Sequence, residues 1–410
     1  MELYKRTYYL KKIRGFYHDY EMIKVITGIR RCGKSCLMRT ITEELLKAHD
    51  VTQSQIIYIN LDDKENKSIK TGEQLEKRID ELSITKKPKY LFIDEIQNVK
   101  DFEEIINAYR EEGDYSIFIT GSNSYLLSGE LITKLTGRYV EFELFTLSFS
   151  EYIEMKRFYN LPVNQDIGSE FTKYILEGGF PKTIFYNNSE DRVKYLQSII
   201  DEIFKKDIRY KHVIRNASVF DRVKAYIINN FGATVNITRI LDYFRNEEGL
   251  IIKRETLNKY IELLENAKII YKCQRFDLKS RRSLAGEQKY YLADLSLYFA
   301  TNVDNRIHYG PVLENLTYIY SKMHGYAISI GKIGNLECDF IVRNSRQDYA
   351  YIQVAMTIAA QNTEDREYAP LEKIRDSWPK YVLTLDPLPQ RRSGIRHLNI
   401  RDVFLQNMDF

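Results

Sequence analysis

Apolar runs separated by polar, helix-patterned stretches fill residues 1–150. Met22–Thr27, Ile56–Leu61, Tyr90–Asp94, Ser116–Thr120 and Tyr139–Leu144 each have the length of a buried strand. Phe102, Ile105, Ile106 and Tyr109 place apolar positions on one face of a helix over Phe102–Glu112. Strands alternating with helices predict a parallel α/β sheet. Leu147–Tyr210 reads as mostly helical, with breaks at Leu161-Pro162 and Gly178-Gly179-Phe180-Pro181. From Val219 the pattern changes: helical stretches at Val219–Asn229, Ile237–Phe244 and Arg254–Glu265 precede strand candidates Lys268–Phe276 and Gln288–Ala293. The polar, basic stretch Asp277–Glu287 between those strands reads as a turn, so three helices and a hairpin predict a winged helix. Its third helix (Arg254, Asn258, Lys259) and wing (Lys279, Arg281, Arg282) would face DNA in a DNA-binding version. Beyond a polar boundary at Asp304–Tyr309 lies a second α/β pattern. It has a helix near Val312–Met323 and strands at Tyr326–Ile330, Leu336–Val342, Tyr349–Ala355 and Tyr381–Leu385.

Composition narrows this picture. A chain of 410 residues exceeds one ordinary core, and 44% hydrophobic with 29% charged residues is usual for a globular protein. The net charge of +4 is too small to identify a nucleic-acid partner, so local basic clusters must carry that case. No apolar stretch approaches the roughly 20 residues that span a bilayer, and Met1–Lys12 has no signal-peptide core. The expectation is therefore a cytoplasmic protein without membrane contact. Cys32, Cys36, Cys273 and Cys338 have no zinc-site spacing and are expected as free thiols; Cys32, in an electropositive loop, is expected to be open to oxidation.

Two motifs carry chemistry. Gly28–Ser35 reads G-I-R-R-C-G-K-S, a complete G-x-x-x-x-G-K-[ST] phosphate loop after an apolar strand and before a helix pattern at Leu37, Ile41 and Leu45. Its glycines permit a sharp turn and a close backbone approach, and its amides meet an anion at a helix start. Gly28, Arg30, Arg31, Cys32, Gly33, Lys34, Ser35 and Cys36 are the residues expected to cradle the nucleotide. Lys34 supplies the charge for the β- and γ-phosphates, and Ser35 a hydroxyl for Mg²⁺. The second motif, Tyr90–Gln97, is a buried strand ending in adjacent carboxylates. Asp94 is placed to hold the Mg²⁺ shell and Glu95 to orient or deprotonate an attacking water. The pair predicts that the chain binds a nucleotide and hydrolyses it.

Over nearly its whole length the chain resembles bacterial and archaeal AAA+ ATPases that carry a C-terminal domain of the DUF4143 type. The residues that carry the resemblance are Gly28–Ser35, Phe92–Gln97, Thr120-Gly121-Ser122-Asn123, Leu135-Thr136-Gly137-Arg138, Gly178-Gly179-Phe180-Pro181 and the Leu336–Ala355 hairpin. It implies an AAA+ parallel sheet over 1–150, a helical lid over 151–215, a winged helix over 216–303 and a restriction-endonuclease-like α/β domain over 304–410. It also implies roles. Asn60 would hold Glu95 away from water until a partner binds, and Ser122 or Asn123 would act as sensor 1. Arg138 would be an arginine finger, acting in cis or across a subunit interface in a homo-oligomer, and Pro181 would pack near the adenine.

In a restriction-endonuclease-type fold a helix Glu, a strand Asp and a Glu/Gln-x-Lys motif share the active site. Glu314, Asp339 and Gln353 are the matching residues and would hold a divalent ion through oxygen ligands. Ala355 stands where that pattern has Lys, which leaves Lys332 or Lys380 as the substitutes to look for. A relic fold used for binding is the expectation. The function expected overall is an ATP-driven switch or remodeller with DNA as partner. The alternatives are a nucleotide-gated nuclease and a signalling or scaffolding ATPase that binds proteins.

Overall fold

The computed structural model of the chain describes residues 2–48, 51–121, 137–209, 214, 216–302 and 306–410. The chain folds as two compact units. One comprises Met1–Phe145 with Asn266–Lys268, the other Thr146–Glu265 with Ile269–Phe410.

The first unit is built on five strands: β1 Ile23–Thr27, β2 Ile56–Asn60, β3 Lys89–Asp94, β4 Tyr115–Thr120 and β5 Tyr139–Glu143. They pair in parallel in the order β2-β3-β4-β1-β5. Alternate residues on one face, among them Val25, Ile59, Ile93 and Ile119, bury against Leu75, Ile79, Phe102 and Ile106. Those four belong to helices Gly72–Leu82 and Phe102–Glu111. The other face carries an aromatic ladder in register, with Tyr58 stacked on Phe92 and Phe92 on Phe118 at 6.1 and 4.6 Å. Lys24 ends the ladder inside the sheet. Its ammonium lies 4.6 Å from the Phe118 ring and donates to Ser116 Oγ at 2.8 Å. Burial pushes its pKa down to about 7. The predicted strands are therefore real, and their shared register brings the C-terminal ends of β1, β3 and β4 to one edge.

The second unit starts with helices Phe149–Phe158, Ile167–Glu177 and Ser189–Glu202. Helices Ala217–Asn229, Ile237–Glu247 and Arg254–Asn266 follow. Its sheet has nine strands: β6 Thr234–Val235, β7 Ile270–Asp277, β8 Arg282–Leu292, β9 Ala327–Ile333, β10 Leu336–Arg343, β11 Tyr349–Val354, β12 Lys380–Thr384, β13 Arg391–Arg392 and β14 Ile395–Asn399. The order is β13-β14-β12-β11-β10-β9-β7-β8-β6. Two expectations change here. The turn predicted over Asp277–Glu287 is short, because β8 begins at Arg282 and continues past a register shift at Gln274/Arg275. That bulge lets a polar segment stay in the ladder, which its composition disguised. Moreover β7 pairs in parallel with β9, so the hairpin is part of the C-terminal sheet. Among the described residues no helix is long and apolar enough to cross a membrane.

Candidate functional site

The phosphate loop leaves β1 at Gly28, whose φ is +142°. A Cβ there would lie 2.1 Å from the Leu144 carbonyl oxygen, so the position excludes any side chain. Arg6 braces the loop from the N-terminal segment. Its guanidinium donates to the Phe145 carbonyl at 2.6 Å and the Cys32 carbonyl at 3.3 Å. Helix Lys34–Lys47 starts directly after Gly33, so its first amides face the loop. Lys34 is buried, and its ammonium donates to the carbonyls of Gly28 (3.0 Å) and Ile29 (3.2 Å). Ser35 is the second residue of that helix. Cys32 departs from expectation. It is buried with Sγ donating to the Leu144 carbonyl, and burial pushes its thiol up, away from the reactive thiolate. Cys36 lies exposed on the helix.

β3 delivers the acidic pair to the same edge. Asn60 is in register with Asp94, and Ile26 with Thr120. Asp94 is buried, and Thr120 Oγ1 donates to its carboxylate. Thr120 Oγ1 in turn accepts the Glu95 amide at 3.0 Å. Glu95 has a left-handed backbone, φ +59°, which a non-glycine residue adopts only when its surroundings enforce it. The threonine provides that enforcement. Gln97 Nε2 donates to the Glu95 carboxylate. Asn60 is engaged elsewhere, donating to Asp63 at 2.8 Å and accepting the Asp62 amide at 3.0 Å. The residue holding Glu95 in this structure is thus Gln97. Thr120 and Gln97 lie inside segments the sequence reading singled out, but it gave neither of them a role.

The remaining predicted residues fall into three groups. Ser122 and Asn123 lie outside the described residues. Arg138 precedes β5, and its carbonyl accepts the amide of Ile23, the first residue of β1. It therefore belongs to the edge opposite the phosphate loop, roughly 16 Å away at about 3.3 Å per residue over the five residues of β5. It is half-exposed, 3.9 Å from Glu111. Pro181 lies in the second unit, where it opens the short 3-10 helix Pro181–Phe185. The glycines before it have a packing reason. Gly178 has φ +74°, and a Cβ would fall 2.0 Å from the Asp294 carboxylate, which accepts the Gly179 amide at 2.8 Å.

The C-terminal acidic residues do come together, around a lysine that sequence reading missed. Lys289 of β8 places its ammonium 2.9 Å from Glu314 and 3.0 Å from Glu337. Tyr291 also donates to Glu314, at 3.1 Å. Gln353 accepts the Asp339 amide at 3.3 Å and donates to Glu367 at 2.9 Å. Asp339 accepts the Val354 amide at 2.8 Å. Burial, with the Glu314 charge close by, pushes the Asp339 carboxyl well above the usual carboxylate range. Lys332 and Lys380 are not the lysines of this cluster; Lys380 bonds the Asp376 carbonyl. Where a metal ion would have to bind, the protein supplies an ammonium and an aspartate whose charge is disfavoured by burial. No group of three or more His, Cys, Asp or Glu among the described residues could hold a metal by itself.

Comparison with known proteins agrees with this geometry. An AAA domain model matches residues 20–153, and a domain of unknown function, DUF8612, matches residues 168–306. An uncharacterized protein of Haemophilus influenzae is 32% identical over 404 residues, 98% of each chain. An uncharacterized protein of Methanocaldococcus jannaschii is 30% identical over 364 residues, 86% of this chain and 78% of the relative. Among solved structures, a Walker-type ATPase of Pyrococcus abyssi shares the fold with a TM-score of 0.52 at 17% identity, covering 73% of this chain and 95% of its own. Together with these bacterial and archaeal relatives, the chain belongs to a family of P-loop proteins built on an AAA domain.

Proposed function

We propose that the protein is an ATP-binding and ATP-hydrolysing switch or remodeller that works with DNA. One observation carries the reading: the phosphate loop, Asp94 and Glu95 share one sheet edge, and Thr120 bonds both acidic residues there. On binding, the β- and γ-phosphates would replace the Gly28 and Ile29 carbonyls as partners of Lys34. Ser35 and Asp94 offer two oxygen ligands, which fits Mg²⁺, an ion usually held by one or two protein oxygens plus phosphates. When bound, Mg²⁺ draws charge off the phosphate oxygens. Glu95, released from Gln97, would accept a proton from the water attacking the γ-phosphorus, while the β–γ bridging bond breaks to leave ADP and phosphate. Arg138 would complete the site in trans within a homo-oligomer.

The DNA reading rests on Lys279, Arg281 and Arg282. All three are exposed and have no ion-pair partner among the described residues. The C-terminal sheet, read as a nuclease-like relic of the DUF4143 type, would serve binding. The test is nucleotide binding and turnover with and without DNA. Lys34→Ala should weaken ATP binding. Glu95→Gln should keep binding and lose about 10²- to 10⁴-fold in turnover, and DNA should raise the parent's rate. Unchanged turnover in Glu95→Gln would sink the assignment of Glu95.

A further inference from the structure

Beyond the cluster around Lys289, the second unit carries an open groove of about 1150 Å³. Small-molecule sites usually occupy roughly 300–1,000 Å³ and are more enclosed, so its size suits a segment of polymer. One wall is aromatic and apolar. Trp378, the single tryptophan of the chain, is exposed and lies 5.8 Å from Tyr349, and Phe276 and Leu278 also line the groove. The Trp378 turn is held in place: Asp376 accepts the Trp378 amide at 3.2 Å and the Tyr351 hydroxyl at 2.6 Å. The ring is therefore presented to solvent on a fixed backbone.

The rim is cationic. Lys279 and Arg281 come from the β7–β8 turn, Lys373 and Arg375 from the end of helix Gln361–Lys373, and all four are exposed. None has an ion-pair partner among the described residues. The two acids on the rim are already satisfied. Glu372 accepts from Arg392 at 2.9 Å and from Ser393 at 3.1 Å, and Asp376 accepts the bonds just described. A fixed, exposed indole with a half-buried tyrosine at its edge, beside unpaired cations, matches the chemistry of a flexible polyanion with stackable faces. A duplex hides its base faces, and an acidic peptide would leave the rings without use.

We infer that this groove binds single-stranded DNA, with a base stacked on Trp378 beside Tyr349 and the phosphates along Lys279, Arg281, Lys373 and Arg375. The inference rests on the DNA reading above and narrows it to strand type. The wing cations that carry that reading meet here a stacking surface that duplex contact does not need.

The test uses the full-length protein and deoxythymidine oligomers, since Trp378 is its own reporter. Tryptophan fluorescence should fall as the oligomer binds. With labelled oligomer, Trp378→Ala should bind roughly tenfold more weakly, within the range for one base–aromatic stack, while Trp378→Phe keeps most of the affinity. Four phosphate contacts predict a slope of about −2.8 in log affinity against log salt, and Lys373→Ala with Arg375→Ala should flatten it by about 1.4. Parent-like binding by Trp378→Ala overturns the proposal, as does tighter binding of a uridine RNA oligomer or of a polyglutamate peptide. A duplex of equal length separates the two readings. Duplex binding without oligomer binding overturns the groove assignment and keeps the DNA reading, whereas binding of neither removes both.

Discussion

Asp94 and Asp339 are both buried aspartates on strands, each with a second carboxylate nearby, yet their surroundings give them opposite chemistry. Asp94 is bonded by a threonine hydroxyl, and among the described residues no cation of the protein pairs with it or with Glu95. Its charge is left for a cation arriving with a ligand. Around Asp339 the protein has provided its own cation: Lys289 bonds Glu314 and Glu337, and burial pushes the Asp339 carboxyl well above the usual carboxylate range. Carboxylates at strand positions therefore do not define a metal site. What defines it is whether their charge is already balanced.

The contrast can be broken at Lys289. Lys289→Met leaves the half-buried Glu314 without its cation, while Glu337 keeps Arg275, and should cost about 3 kcal/mol of stability, read as a shift in the denaturation midpoint. A variant as stable as the parent would show that the lysine does not balance the cluster. A smaller effect sharpens the comparison through pH. In the folded protein Asp339 keeps its proton to higher pH than in the unfolded chain, where its pKa is near 4. The folded state thus binds more protons in that window, so stability falls as pH rises from about 4 toward the folded value. Asp339→Asn should remove this fall, while Glu337, held low by Lys289 and Arg275, still gives a loss of stability as pH drops through its own folded value. A pH profile unchanged by Asp339→Asn would contradict the raised Asp339 carboxyl.

The same contrast separates what is legible in the chain from what is not. Gly28–Ser35 and Tyr90–Gln97 are contiguous motifs whose strand-end placement follows from local pattern, so the nucleotide edge can be read from the sequence alone. Thr120 is hidden there because its partner lies 26 residues away and only strand register joins them. Lys289 is harder still. It reaches Glu314 and Glu337 only because the hairpin joins the C-terminal sheet, a long-range pairing that periodicity does not encode. Chain proximity points instead to Lys332 and Lys380, whereas topology supplies a lysine from another hairpin. Helix Gln361–Lys373 also escapes the pattern: it is polar and contains Pro370, which masks a helical signal.

The most direct test of the contrast is Mn²⁺ binding in the presence and absence of a slowly hydrolysed ATP analogue, followed by electron paramagnetic resonance of the free ion. The parent should take up one Mn²⁺ per chain only together with the nucleotide. Asp94→Asn should weaken that uptake roughly tenfold or more, and Asp339→Asn should titrate like the parent. Mn²⁺ bound without nucleotide and lost in Asp339→Asn, with Asp94→Asn unaffected, would contradict the account.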